Sequence, residues 1–153
     1  GDAALKNIVA VMATLNRDAA EAMIEVGANA CTDVTGFGLL GHLKSMLDGS
    51  GVGARITLSN VPIIPDAWEM GERGFIPGGT GRNRLWVEDE VDWDADVSAM
   101  GRTILMDAQT SGGLLIAVTE DAEPRLHAAL SARGVAGHTI GIVTTERVLA
   151  VVP

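Results

Sequence analysis

At 153 residues, 47% of them hydrophobic and with a mean hydropathy of +0.25, the chain can bury a sizeable core as one domain, which excludes a disordered chain. The net charge of −9 disfavours nucleic acid as a partner, because that role needs a basic stripe. No apolar run approaches the roughly 18 residues of a membrane span, no signal-peptide pattern opens the chain, and a single cysteine cannot close an internal disulfide, a combination that fits a cytoplasmic protein.

The chain starts abruptly in helical character at Ala3-Ala4-Leu5-Lys6, which suits a domain cut from a longer polypeptide. Leu5, Ile8, Val9, Met12 and Leu15 recur at helical spacing and predict one apolar stripe. Asn16 reads as the N-cap of a second helix carrying Ala19, Ala20, Met23, Ile24 and Val26, with Gly27 as its stop. Residues 29–34 predict a short strand that runs into a turn bracketed by Gly36, Gly38 and Gly41. Leu39, Leu40, Leu43 and Leu47 then give a helix a buried face, ending near Gly49 or Gly51. Residues 52–58 read as a strand, and Pro65 starts a helix through Trp68 and Met70 to Arg73. Gly74 through Arg84 reads as a long loop, a length uncommon unless functional or disordered.

Residues 88–96 hold six carboxylates in nine positions. Asp92, Asp94 and Asp96 imitate the start of a calcium loop, but Val97 replaces its glycine and Thr103 its closing glutamate, so the segment reads as a solvated acidic surface. Residues 114–118 predict a strand, and residues 121–133 a helix with Pro124 in its first turn and Leu126, Ala129 and Leu130 inward. Residues 139–143 and 148–152 predict two strands joined as a hairpin. The fold class expected is α+β, a mixed and largely antiparallel sheet packed with helices, in a single domain over 1–153.

Chemistry concentrates in three stretches. In the first, Asp33 lies just before a glycine turn and a helix start, where backbone amides suit an anion. A carboxylate beside a phosphate needs a cation between them, and Mg²⁺ prefers oxygen ligands; alternatively Asp33 or the Thr35 hydroxyl caps the helix. The second, Gly78-Gly79-Thr80-Gly81-Arg82-Asn83, offers backbone donors and, with Arg84, two cations for a phosphate or a domain contact, or it is a flexible surface loop. The third, Gln109-Thr110-Ser111-Gly112-Gly113, lacks the nucleophile-elbow pattern and reads as a tight turn where another backbone approaches. Cys31, in an apolar strand with no flanking base, reads as a buried inert thiol. His42, His127 and His138 lack metal-ligand spacing, and His42 reads as a structural hydrogen-bonding group near the glycine turn.

Taken together, Ala30 through His42, Pro77 through Asn83 and Asp107 through Leu115 resemble, in order, three signatures of the selenophosphate synthetase (selenide, water dikinase) family. Ala108 stands where that family usually has proline, and the Thr14-Leu15-Asn16-Arg17 junction is also similar. The resemblance covers only the C-terminal half of such proteins, a domain whose fold is shared with aminoimidazole ribonucleotide synthetase. It implies conversion of ATP, selenide and water to selenophosphate, phosphate and AMP with Mg²⁺, in an enzyme expected to be a homodimer. It also implies that the nucleophilic Cys or selenocysteine, the essential Lys and most Mg²⁺-binding aspartates belong to an N-terminal domain, so the domain alone is expected to be inactive. Of the residues here, Asp33 alone matches a metal-ligating position of that family. The alternatives are another ATP-dependent enzyme of the same superfold, such as an aminoimidazole ribonucleotide synthetase or a thiamine-phosphate kinase, and a non-catalytic binding module.

Overall fold

Both N-terminal stripes form helices, and among the described residues the second packs into a core. In the computed structural model, which describes residues 2–153, α1 (Asp2–Ala13) is followed by α2 (Arg17–Val26). Leu5, Val9, Met12 and Leu15 are exposed, Leu15 to 77%, so the first stripe is not packed into the core among the described residues. Asn16 makes no capping bond to α2; its carboxamide instead donates to Gly112 O at 2.9 Å, tying the helix junction to a distant loop.

The chain then forms β1 (Ala30–Asp33), α3 (Gly38–Ser50), β2 (Gly53–Thr57), α4 (Asp66–Glu72) and α5 (Gly78–Val87). The leucine face of α3 is buried throughout, and Gly51 ends the helix with φ 68°. α5 corrects the expectation of a loop over 74–84. Pro77 stays extended before Gly78, a geometry suited to helix entry, and Thr80, Asn83 and Val87 form a buried stripe at helical spacing. That packing overrides the poor helix propensity of three glycines.

Next come β3 (Val91–Trp93), α6 (Ala99–Leu105), β4 (Leu114–Ala117), α7 (Glu123–Ala132), β5 (Gly141–Thr144) and β6 (Leu149–Val152). Neither β3 nor α6 was expected. β3 is three residues of an acidic run, anchored by Val91, and α6 announces itself only through Ser98, whose hydroxyl accepts from Gly101 N at 3.0 Å as an N-cap.

The strands make two sheets, an antiparallel pair β1-β4 and a four-stranded sheet in the order β3-β6-β2-β5. β2 runs antiparallel to β5 and parallel to β6, and β6 runs parallel to β3, so the α+β class holds with a mixed sheet. The expected terminal hairpin is therefore split by β2. The connection from β5 to β6 crosses the end of β2 at Gly53, where a Cβ would lie 2.0 Å from Glu146 O and 2.3 Å from Val148 O. Only glycine admits that crossing, and its effect is invisible to local strand patterning.

The main core joins α3 to Ala54 and Ile56 of β2, Leu149 and Val151 of β6, and Leu105 and Met106 at the end of α6. A smaller core packs Ala22 of α2 on Leu126, Ala129 and Leu130 of α7. β4 forms the wall between them, with Leu115 against the first and Ile116 against the second. No helix among the described residues is long and apolar enough to cross a membrane.

Leu40 is fully buried and Leu85 is 89% exposed. Leu40→Ala is expected to cost about 3 kcal/mol in urea unfolding, from lost burial and a residual cavity. Leu85→Ala is expected to stay within about 0.5 kcal/mol, and equal losses at both sites would contradict this packing.

Candidate functional site

Asp33 ends β1, paired in register with Leu114 at the start of β4. Strand alternation puts Cys31 and Asp33 on the same face of β1, and both are exposed. Beyond Asp33 the backbone is held residue by residue. Val34 N donates to Gly113 O at 3.0 Å, and Val34 O accepts from Gly112 N at 2.9 Å. Thr35 O accepts from Gln109 N at 3.1 Å and Gly38 N at 3.0 Å. The glycines of residues 109–113 thus meet another backbone, as their pattern suggested.

His42, one turn into α3, holds the same turn from the other side. Its Nε2 accepts the Thr35 amide at 3.0 Å and lies 3.1 Å from the Thr35 hydroxyl. A backbone N–H can only donate, so this ring nitrogen is unprotonated and a neutral His42 carries its proton on Nδ1. The capping alternative is overturned: α3 has no side-chain cap, and the Thr35 hydroxyl faces the imidazole. Phe37 packs between the imidazole and Trp86, with ring centroids 5.4 Å and 5.6 Å away.

The second signature supplies the brace. Thr80 and Asn83 are 1% and 6% exposed, the buried polar side chains among the described residues, and both lie on α5. Asn83 Nδ2 donates to Gly36 O at 2.9 Å and to Met106 O at 3.0 Å. The Thr80 hydroxyl donates to Asp107 Oδ1 at 2.5 Å and accepts from Ala108 N at 3.2 Å. Gly38 fits where α3 meets this strand of backbone: its φ is +71°, and a Cβ would lie 2.7 Å from Met106 O. Three segments scattered over some eighty positions of sequence therefore meet at one seam beside Asp33.

The polar stretch read as a loop over 78–83 is thus the first part of helix α5. Its Thr and Asn point inward, and Arg84 is paired with Glu88 through two nitrogens, leaving Arg82 exposed. Cys31 also departs from expectation, being exposed because alternation turns it away from the main core. Partial burial of the thiol, and secondarily the Asp33 charge, push its pKa up. Asp92, Asp94 and Asp96 are all exposed, and His127 meets Thr139 at 3.1 Å, far from the seam in sequence.

No group of three or more His, Cys, Asp or Glu side chains among the described residues is placed to hold a metal ion. Asp33 accordingly fits the donation of one oxygen ligand at an exposed strand end, and the described residues by themselves do not fit a complete Mg²⁺ shell. The residues that sequence reasoning missed are Thr80 and Asn83 as bracing groups. The signal that identifies them is polar residues at i and i+3 with Val87 on the same helical face.

The sequence matches the family described as AIR synthase related protein, C-terminal domain, over residues 3–152. A selenide, water dikinase of Carboxydothermus hydrogenoformans is 43% identical over 142 residues, 93% of this chain and 41% of the relative. One from Pelobacter propionicus is 48% identical over 130 residues, 85% of this chain and 37% of the relative. One from Bordetella bronchiseptica is 42% identical, over 92% of this chain and 40% of the relative. The chain thus spans about two fifths of the length of these curated relatives.

Two outcomes test this geometry. Gly38→Ala should destabilise by about 2–4 kcal/mol in chemical denaturation, combining left-handed strain with overpacking. Gly36→Ala, with nothing within 4 Å of the new Cβ and no positive φ, should cost about 1 kcal/mol or less. The reverse ranking would contradict the seam. In addition, the alkylation rate of Cys31 should titrate above the ordinary cysteine value, and Asp33→Asn should shift that profile down by removing a negative charge. A profile at or below the ordinary value would refute the assigned environment.

Proposed function

The chain belongs to the AIR synthase related protein, C-terminal domain family, and on that premise we propose that it is the C-terminal domain of a selenide, water dikinase. The intact enzyme would make selenophosphate from selenide, ATP and water, releasing AMP and phosphate. The observation that carries this reading is the meeting of the three signature segments at one seam, with Asp33 exposed at its edge. In this reading residues 1–153 form one domain, the C-terminal half of a cytoplasmic, homodimeric protein whose N-terminal half supplies the nucleophile and the other metal ligands.

The role assigned to this domain is positioning. Phosphoryl transfer depends mainly on placing charge and reacting atoms, with little covalent work for the protein. Mg²⁺, when bound, supplies neutralisation of the phosphate oxygens. Asp33 would be held for that purpose at the end of β1, in register with Leu114, with the next residue Val34 pinned by Gly112 and Gly113 and the following turn by His42 and Asn83. A domain with net charge −9 repels a free polyphosphate, so nucleotide affinity would reside in the assembled protein.

The test is selenide-dependent AMP formation by the intact protein. Asp33→Asn is expected to lower turnover by at least about a hundredfold, as loss of one charged ligand removes several kcal/mol of transition-state stabilisation. Because Asp33 is exposed, its unfolding free energy should move by less than about 1 kcal/mol. Near-normal turnover in the variant would sink the role of Asp33. ATP cleavage with no response to selenide would point instead to another ATP-dependent enzyme of the family. The isolated domain is expected to leave ATP intact and to give no micromolar binding signal with Mg-ATP in calorimetry.

A further inference from the structure

We propose that Asn83 is the positioning residue for Asp33: its carboxamide fixes the Thr35–Phe37 turn, and so sets where the carboxylate at the end of β1 can present its oxygens. The inference rests on the functional reading above and deepens it by assigning a role to a residue outside the Asp33 segment.

Hydrogen-bond supply at the seam singles out Asn83. Gly36 O and Met106 O are both acceptors brought together at the seam, and neither can satisfy the other. Asn83 Nδ2 carries two hydrogens and reaches both, at 2.9 Å and 3.0 Å, from a side chain 6% exposed. Aspartate has the same shape but offers only acceptors, and serine has one hydrogen. The amide group alone meets both demands at this reach. Gly36 stands three residues after Asp33, and the intervening Val34 and Thr35 are tied to Gly113, Gly112, Gln109 and His42. With Asn83 in place no peptide group of this turn is free to rotate. Without it, the Gly36 carbonyl loses its side-chain donor and the turn can relax away from α5. Thr80 acts one helical turn earlier, on Asp107 and Ala108, so it holds the opposite lip of the same seam.

A group that orients a metal ligand without touching the metal changes metal affinity by about 10–100-fold when removed. In the intact protein, Mn²⁺ affinity in the presence of ATP is measured by electron paramagnetic resonance, beside turnover and thermal stability. Asn83→Ala should weaken Mn²⁺ at least about tenfold and lower kcat while KM for ATP changes less than about threefold, with Asn83→Ser, which retains one donor, falling between. Leu130→Ala, in the smaller core and away from the seam, serves as the destabilised control, and its Mn²⁺ affinity should stay within about twofold. The inference is overturned if Asn83→Ala and Asn83→Ser both keep Mn²⁺ affinity within that range, or if Leu130→Ala weakens it as much. If Asn83→Ala does not fold, the serine variant alone decides. Failure of the unmodified protein to respond to selenide while still binding Mn²⁺ would refute the dikinase reading and leave the positioning role to the Mn²⁺ comparison. An unmodified protein that binds no Mn²⁺ overturns both.

Discussion

The double donation from the Asn83 carboxamide is the constraint on which the rest of the site depends. A buried polar side chain is costly unless its groups are paired, and here the pairing partners are two main-chain carbonyls from segments 47 and 23 residues away. The bond pair therefore specifies as well as stabilises. It requires α5 to lie against both the turn after β1 and the end of α6, and Gly38 lets α3 start in the remaining space. Among the described residues, no buried side-chain nitrogen or oxygen lacks a partner, so the polar seam is closed without strain from orphaned groups.

Around this seam the two cores have separate tasks. The main core packs the leucine face of α3, the helix that starts at the glycine turn, against the side chains of β2 and β6. The smaller core packs α2 and α7 against Ile116 of β4, whose neighbour Leu115 faces the main core. A two-stranded sheet is marginal in isolation, and this one persists because helices pack on it. Its open edge, together with exposed Leu5, Leu15, Phe37, Leu85 and Trp86, leaves much apolar surface uncovered. On the proposed reading that surface meets the remainder of a polypeptide of which this chain is about two fifths, in a family defined as a C-terminal domain.

Local periodicity made the helices α2, α3, α4 and α7 and the strands β1, β2 and β4 legible, because each carries its own apolar pattern and its own stop. What was hidden depended on partners far away in sequence. α5 contains three glycines and reads as a loop until Thr80, Asn83 and Val87 find the seam. The hairpin of β5 and β6 looks local until Gly53 admits β2 between them. Cys31 sits in an apolar run, yet its exposure follows from which face of β1 is turned outward. The site was legible in a similar measure. Asp33 and the glycine turn stood out, and the hydrogen-bonding of His42 was anticipated. The bracing role of Asn83 was not: its spacing with Thr80 and Val87 marks a buried helical face, but the carbonyls it meets lie in distant segments.

The most direct measurement is a crystal structure of the intact protein with Mg²⁺ and a non-hydrolysable ATP analogue. An Asp33 oxygen is expected in the metal's coordination shell at about 2.1 Å, with Asn83 still bonded to Gly36 O. A metal whose shell is complete without Asp33, or an Asp33 directed away from the nucleotide, would contradict it.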